Sequence, residues 1–320
     1  MSFQSFPQAG YQAGVSDFGN GCFAYLQPDG GWGLSNAGLV TSEGEALLID
    51  TLFDLPHTRA MLDGFARATE ARIGTVFNTH QNGDHWFGNA LVEGAEVVAT
   101  ERAADAMQHE LPERLAGFMA AAPGLGLTGE YLVHCFGRYD FTGIRPKLPD
   151  TTFSGRMSKQ VGAKRVDLIE VGPAHTGGDA IAYVDADRAV FTGDILFVDG
   201  TPIVWAGPIG NWITACETIE GLEADTIVPG HGPVTDKRGV ARVREYLAYI
   251  RDEARKRYDA GLGALEAARS IALDDYAGWG DAERIAVNVA TLYREFGDSN
   301  TPSDAATLFG WMAQLWQDRR

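Results

Sequence analysis

The sequence predicts an α/β fold followed by a run of helices, and three observations lead to that class. Short apolar, β-branched segments such as 73–77 and 95–99 alternate with stretches of helical periodicity, as in sheets packed against helices. Residues with metal-binding side chains recur where the predicted strands end. After Pro233 the pattern changes to amphipathic helices alone. We therefore predict a catalytic α/β domain over residues 1–235 and a helical extension over 236–320 that packs on it.

Before residue 122 the chain is expected to contain more strands than helices. The predicted strands are bounded by polar or Gly-rich turns and cover 22–26, 33–41, 45–50, 73–77 and 95–99. Helical periodicity marks 55–69, and the Ala-, Glu- and Leu-rich stretch 101–121 is expected to be one helix. Residues 1–17, rich in Gly, Gln and Ser, are expected to form an arm on the surface or on a partner subunit.

Residues 122–150 contain many Gly, Pro and aromatic residues and show no clean period. We expect an irregular insertion over the site, because segments of this kind shape substrate pockets. Its aromatic and histidine side chains are expected either to line a pocket or to form a small core beneath the loop. These residues are Tyr131, His134, Phe136, Tyr139 and Phe141.

Short strands are predicted again after residue 150, at 151–155, 164–172, 179–187, 188–194 and 224–228, with a helix over 211–222. The tail has helical patterns over 236–258, 263–274, 281–297 and 303–318. It lacks any cluster of ligand-type residues. We expect it to be structural, covering the sheet or forming a subunit contact.

The stretch 79–85, Thr-His-Gln-Asn-Gly-Asp-His, carries most of the predicted chemistry. It follows the buried strand 73–77, and Asp84 is expected to cap a helix that begins near His85. His80, Asp84 and His85 then lie on a tight loop that turns them toward one point. Two imidazoles beside a carboxylate suit a divalent first-row ion such as Zn²⁺.

Three further ligand-type residues follow at predicted strand ends: His175 in GPAHTGGD, Asp194 in FTGD and His231 in IVPGHGPV. Together the four blocks resemble the metallo-β-lactamase superfamily of hydrolases. That family's pattern is T-H-x-H-x-D-H, a His after a strand, an Asp in a TGD-like turn and a His in a PGHG-like turn. The resemblance covers roughly residues 18–235, and it departs from the pattern at Asn82, where the family has a second His.

The resemblance implies a four-layer αββα sandwich that holds two metal ions a few ångströms apart. Asp194 is expected to bridge the two ions. The first pocket is expected to use His80, Asn82 and His175, and the second Asp84, His85 and His231. An Asn carbonyl oxygen is a far weaker Zn²⁺ ligand than an imidazole. We therefore expect one or two Zn²⁺ per chain, with the first pocket weak, empty or taken by a harder ion such as Fe or Mn.

The expected reaction is hydrolysis through a metal-bound hydroxide. A bound cation lowers the pKa of water from 15.7 to about 7, which provides a nucleophile at neutral pH. Asp84 is the predicted catalytic residue, orienting or deprotonating the water or protonating the leaving group. For Asp179 two readings stay open: a carboxylate that fixes an imidazole tautomer, or a turn residue.

The net charge of −17 argues against nucleic acid as a substrate, since no run of Lys or Arg offsets phosphate repulsion. The N-terminal sequence shows no signal-peptide pattern, and no stretch has the length of a membrane span. The three cysteines are too few for a disulfide framework. We expect a cytoplasmic protein without membrane partners that acts on a small molecule, and the long helical tail is compatible with a homo-oligomer.

An apolar cleft that binds an uncharged or aromatic substrate is suggested by the aromatic insertion together with Trp86, Trp205 and Trp212. The family resemblance implies that the bond cleaved is an ester, thioester, lactone or related bond. A polyketide cyclase or thioesterase-like enzyme is one alternative. Another is a mononuclear iron oxidoreductase, like the persulfide dioxygenases of the family, using His80, His175 and Asp194. A binding subunit with a degraded site is a third.

Overall fold

Two β-sheets form the centre of the protein, which is described here by a computed structural model covering residues 11–319. The first sheet has seven strands that pair in chain order: the first four are antiparallel to their neighbours, and the fourth to the seventh run parallel. Its strands are β1 (Gly14–Asp17), β2 (Cys22–Leu26), β3 (Ala37–Ser42), β4 (Glu45–Ile49), β5 (Arg72–Phe77), β6 (Glu96–Thr100) and β7 (Thr151–Phe153). The predicted arm is corrected at 14–17, which pair with β2; residues 1–10 lie outside the described part.

The second sheet has five strands that also pair in chain order. They are β8 (Arg156–Val161), β9 (Lys164–Glu170), β10 (Ala180–Val184), β11 (Ala189–Phe191) and β12 (Thr226–Val228). The sequence did not predict β8. It is an edge strand whose polar residues are mostly exposed, so it lacks the apolar pattern of a buried strand.

Helices cover the outer faces of both sheets, which confirms the predicted four-layer αββα arrangement. Within residues 11–319 the α-helices are α1 (Leu55–Ala68), α2 (Glu101–Met107), α3 (Pro112–Ala121), α4 (Gly126–Phe136), α5 (Ile209–Gly221), α6 (Lys237–Asp259), α7 (Ala264–Ser270), α8 (Ile285–Glu295) and α9 (Ala305–Asp318). One core fills the space between the sheets and includes Phe77 and Phe191. A second joins the first sheet to Met61 and Phe65 of α1.

The insertion is more regular than predicted. The expected helix over 101–121 is broken into α2 and α3, because Leu111 is extended before Pro112, as a pre-proline residue prefers. The expected irregular segment 122–150 contains α4, whose Tyr131 and Cys135 are buried. Burial of one helix face against the tail thus overrides the weak local pattern.

The predicted helix after the metal-binding loop does not form. Only short 3₁₀ turns are present, at Gly83–His85 and Asn89–Leu91. Asp84 is not an N-cap, because its carboxylate faces His231 rather than backbone N–H groups. The indole of Trp86 donates to the Gln81 carbonyl at 2.7 Å and holds the loop in a compact turn.

The C-terminal helices share a large core with α5. Residues 285–293 of α8 are all buried, so this helix lies inside the tail rather than on its surface. No helix within residues 11–319 is both long enough and apolar enough to cross a bilayer.

Candidate metal centre

The predicted site residues lie on four loops that meet at one edge of the two sheets. β11 and β12 are parallel, so their carboxyl ends point the same way, and β10 runs opposite to β11. The loops bring together His80, Asn82, Asp84 and His85 after β5, His175 between β9 and β10, Asp194 after β11, and His231 after β12. Four of the seven histidines of the chain thus converge.

Asp194 lies at the centre of this cluster. Its Oδ1 is 3.1 Å from Nε2 of His85. Its Oδ2 is 3.3 Å from Nε2 of His175, 3.5 Å from that of His231 and 3.7 Å from that of His80. A single carboxylate thus reaches all four imidazoles, as a bridging ligand must.

Two sets of three residues have ligand atoms mutually within 4.8 Å: His80, His85 and Asp194, and Asp84, His85 and His231. The second set is the predicted second pocket, in which Oδ2 of Asp84 is 3.3 Å from Nε2 of His231. The first set differs from the predicted first pocket, because it contains His85 and not His175: the ring centre of His80 is 4.3 Å from that of His85 and 5.0 Å from that of His175.

Each imidazole has its Nδ1 atom next to a hydrogen-bond acceptor. Nδ1 of His175 contacts the Ile203 carbonyl at 2.7 Å, and Nδ1 of His231 contacts the Gly30 carbonyl at 3.0 Å. A carbonyl only accepts, so Nδ1 carries the proton in the tautomer that donates to it, and the Nε2 atom of that neutral imidazole presents its lone pair to the site.

The other two imidazoles are oriented by Asp50 and Thr79. Nδ1 of His85 is 2.8 Å from Oδ2 of Asp50, and Nδ1 of His80 is 3.0 Å from the Thr79 hydroxyl, which donates to the same carboxylate. Sequence reasoning missed Asp50. Its signal was an acidic residue that ends a strand next to the one leading to the metal loop.

The chemistry of the donors fits a divalent cation. Nε2 of His80 is buried without a hydrogen-bond partner among residues 11–319, and so are Nε2 of His85 and Oδ1 of Asp194, which lie 3.1 Å apart but form no hydrogen bond. Buried polar atoms normally have a partner, and orphaned atoms that converge on one point are explained by an ion. The mixed imidazole and carboxylate set suits Zn²⁺ or a similar first-row metal.

The negative charge at the centre separates the pKa values of the imidazoles. Burial lowers the pKa of His175 to about 4 and holds that of His80 well below its usual range. Burial also lowers the pKa of His231 and His85, but the carboxylates of Asp194 and Asp84, with Asp50 beside His85, together outweigh it. The pKa of His231 rises to about 9, and that of His85 rises well above its usual range.

Asn82 faces two different partners. Its Oδ1 is 2.8 Å from Nε2 of His175, and its Nδ2 donates to Oε2 of Glu110 at 3.1 Å. Burial raises the pKa of Glu110 to about 7, while hydrogen bonds from Asn82 and Gln81 favour its carboxylate form. Glu110 was not singled out from the sequence, because it lies on the connection between α2 and α3.

Close packing of the loops depends on two features of their sequence. A Cβ on Gly230 would lie 2.0 Å from Oδ1 of Asp194, so only glycine fits there. Asp179 accepts hydrogen bonds from the backbone N–H groups of Ala174 and Thr176. It therefore shapes the turn that carries His175 and does not contact the imidazole, which decides between its two predicted roles.

A cavity of about 330 Å³ opens over the site. Asn82, Asp84, His175, Asp194 and His231 line its polar part, together with Glu110. Most of its other walls are apolar and include Trp32, Phe53, Phe87, Phe118, Phe136, Phe197 and Trp205. Of the tryptophans predicted to line the cleft, Trp205 does so. Trp86 and Trp212 are fully buried outside it, and within the insertion Tyr131, Tyr139 and Phe141 are core residues.

The tail also contributes to the cavity, which corrects its purely structural assignment. Phe309 of α9 lines the wall and packs on Trp205. The guanidinium of Arg284 lies 4.3 Å from the centre of the Trp32 ring and is paired with Asp281 at 2.7 Å. The contribution of the tail to the cavity depends on tertiary packing, so no local sequence motif predicts it.

Residues 30–231, which include all the predicted ligands, match the sequence model described as the metallo-beta-lactamase superfamily. The Beta-lactamase-like protein 2 homolog of Caenorhabditis elegans is 35% identical over 77 residues, or 24% of this chain and 25% of that protein. The chain therefore spans about a quarter of that relative in the match.

Two solved structures share the fold. The sec-alkylsulfatase Pisa1 from Pseudomonas sp. has a TM-score of 0.65 at 18% identity, over 90% of this chain and 50% of that chain. A metallo-beta-lactamase from Pontibacter korlensis has a TM-score of 0.56 at 18% identity, over 74% of this chain and 99% of that chain. Coverage of 90% means that the likeness to the alkylsulfatase extends into the tail.

Proposed function

Because the chain belongs to the metallo-β-lactamase superfamily, we propose that it is a metal-dependent hydrolase acting on a small organic ester, thioester, lactone or related bond. The observation that carries this proposal is the convergence of four imidazoles on Asp194 at one end of an aromatic cavity. Their Nδ1 atoms lie next to acceptors, so the four Nε2 atoms are directed at one region.

The donors divide into two candidate pockets around Asp194. Asp84, His85 and His231 would hold an ion in the second pocket, and His80, His175 and Asn82 would hold one in the first. When bound, the ion supplies Lewis acidity, which makes water a nucleophile at neutral pH and polarises the bond to be cleaved. Zn²⁺ is the proposed ion of the second pocket.

Asp84 is the carboxylate best placed for proton transfer. Its side chain is 13% exposed, compared with 4% for Asp194, and it lines the cavity. It is therefore accessible both to the attacking water and to a leaving group. We assign to Asp84 the acceptance of the water proton and its delivery to the departing oxygen, sulfur or nitrogen.

The cavity walls indicate the kind of substrate. Aromatic side chains bind flat or aliphatic groups and exclude water, while Asp84 and Glu110 oppose an anion near the reacting bond. Two arginines, Arg114 and Arg284, also line the cavity. A negatively charged group remote from the bond is thus accommodated at the Arg114 side, which is the more exposed of the two.

The geometry gives less support to a mononuclear iron oxidoreductase. Such a site needs two imidazoles and a carboxylate set apart, with open positions. His80 and His175 do share Asp194, but His85 lies closer to that carboxylate than either, and His231 lies closer than His80. The metal that the purified protein contains would distinguish hydrolysis from oxygen-dependent chemistry.

The test combines metal analysis with a panel of reporter substrates. Protein purified without added metal is analysed for Zn, Fe and Mn and is then assayed on an aryl ester, an acyl thioester, a lactone and a secondary alkyl sulfate. The last is included because of the structural likeness to an alkylsulfatase. We expect zinc and hydrolysis of at least one reporter without oxygen consumption.

Variants connect the activity to the site. Asp84→Asn should lower kcat by about 10²–10⁴-fold, the usual contribution of general acid–base catalysis. His109→Ala is the matched control, since that exposed histidine does not line the cavity. Iron with oxygen consumption, or equal activity of the two variants, would contradict the proposal.

A further inference from the structure

Asn82 and Glu110 form a pair that the family pattern does not predict. Asn82 stands where the family has a metal-binding His, and its Nδ2 donates to Oε2 of Glu110 at 3.1 Å. Both residues line the cavity. Glu110 comes from the connection between α2 and α3, far in sequence from the metal-binding loops.

The carboxylate determines which end of the amide faces the site. An ionised carboxylate has acceptors only, so the NH₂ group of Asn82 must face Glu110. The carbonyl oxygen of Asn82 then faces His175, whose Nε2 is 2.8 Å away. Nδ1 of His175 faces a second carbonyl oxygen, that of Ile203, at 2.7 Å, and a neutral imidazole has one N–H, so it donates to only one of the two oxygens. When Nδ1 is the donor, Nε2 carries a lone pair toward Asn82.

Two acceptor atoms therefore face each other at short distance. Such a contact is repulsive alone, but it is normal for two ligands of one cation. Ligand atoms about 2.1 Å from an octahedral ion lie about 3 Å apart. Nε2 of His80, buried and without a partner among residues 11–319, adds a third donor at this side of Asp194.

Glu110 accepts from Nδ2 of Asn82, and among residues 11–319 no hydrogen bond or ion pair joins it to the four imidazoles. Its influence on a cation therefore passes through Asn82. A carboxylate that accepts from an amide N–H also polarises the amide and increases the negative charge on its oxygen. This partly compensates for the weaker donor that replaces the family imidazole.

We propose that Glu110 is a positioning residue that turns the Asn82 oxygen inward and so creates, with His80 and His175, a first pocket for a harder divalent cation of the Mn²⁺ type. The inference rests on the metal binding of the proposed function. A pocket with an amide oxygen and two imidazoles suits Mn²⁺ or Fe²⁺ better than a pocket made of imidazoles alone does. The second pocket, which Glu110 does not touch, keeps its preference for Zn²⁺.

The experiment measures Mn²⁺ binding at pH 8 to protein already holding one Zn²⁺, by titration calorimetry and by the electron paramagnetic resonance of free Mn²⁺. Glu110→Leu should weaken Mn²⁺ binding by about 10–100-fold, the usual effect of losing a partner that orients a ligand. Glu110→Gln, which keeps an acceptor but loses the charge, should show a smaller loss. Glu113→Gln is the control, because this exposed carboxylate lies outside the cavity.

Repeating the substitution of Glu110 in the Asn82→His variant distinguishes positioning of the amide from a general loss of structure. In Asn82→His the pocket no longer contains the amide, so Zn²⁺ should bind the first pocket more tightly and Glu110→Leu should have little further effect. An equal loss in both backgrounds would overturn the inference, as would unchanged Mn²⁺ binding in Glu110→Leu or binding of only one cation by the unmodified chain. Binding of no metal in either pocket would instead overturn the proposed function.

Discussion

Asp50 accepts a hydrogen bond from Nδ1 of His85 at 2.8 Å. The same carboxylate accepts from the backbone N–H and the hydroxyl of Thr79 at 2.8 and 2.7 Å. Asp50 follows β4, and Thr79 and His85 lie on the loop after the adjacent strand β5. One buried carboxylate thus fixes the metal-binding loop to the sheet and sets the orientation of a central imidazole.

The first prediction concerns this contact. Asp50→Asn should lower the affinity of the second pocket for Zn²⁺ by about 10–100-fold, since the amide no longer supports the charge on His85. Competition with a chromophoric chelator measures the change. Asp63→Asn, on the exposed face of α1, provides the control. Equal zinc retention by both variants would show that Asp50 has no influence on the metal.

The second prediction concerns pH. The pKa of His231 is about 9 before a cation binds, because the carboxylates of Asp194 and Asp84 together outweigh the effect of burial. At pH 7 this imidazole is protonated and must lose its proton to become a ligand. Zn²⁺ affinity of the second pocket should therefore increase with pH, by about tenfold per unit for each proton displaced, up to pH 9.

Calorimetry at pH 7 in two buffers of different ionisation enthalpy counts the protons released. We expect at least one per Zn²⁺ in the second pocket. Ions bound in the first pocket should release none from His80 and His175, whose pKa values are lowered. A zinc affinity that is constant between pH 6 and 8 is incompatible with this assignment.

The third prediction concerns the packing of the ligand loops. Gly230→Ala places a methyl group 2.0 Å from Oδ1 of Asp194 and must displace this carboxylate. Metal content and activity should fall together. Gly210→Ala is the matched control, because its Cβ meets nothing within 4 Å and helix α5 gains a better helix former. Normal metal content in Gly230→Ala would mean that the loops can separate without cost.

The fourth prediction tests the role of the tail in substrate binding. Phe309→Ala removes a cavity wall and its contact with Trp205, so KM for an apolar reporter should increase about fivefold, equivalent to about 1 kcal/mol, with little change in kcat. Phe296→Ala, which loses contacts with Tyr258 and Tyr293 outside the cavity, should leave KM unchanged. Equal KM values in the two variants would exclude a role of α9 in the cavity.

The sequence was most informative where chemistry and local pattern coincide. His175 and His231 are predictable because each follows a predicted strand within a block of the family pattern, and the structure places both at Asp194. Asp50 and Glu110 were not predicted as site residues. Asp50 contacts His85 from the neighbouring strand and Glu110 contacts Asn82 from another loop, and these contacts exist only in the folded chain. α4 was missed for a similar reason, since its buried face packs on the tail.

Anomalous diffraction at the zinc absorption edge, from crystals of protein purified without chelators, would locate a metal among the converging side chains. We expect a strong peak bounded by Asp84, His85, Asp194 and His231, with any weaker second peak beside Asn82. A map without a peak among these residues, with the imidazoles hydrogen-bonded to one another or to water, would contradict the proposed metal centre.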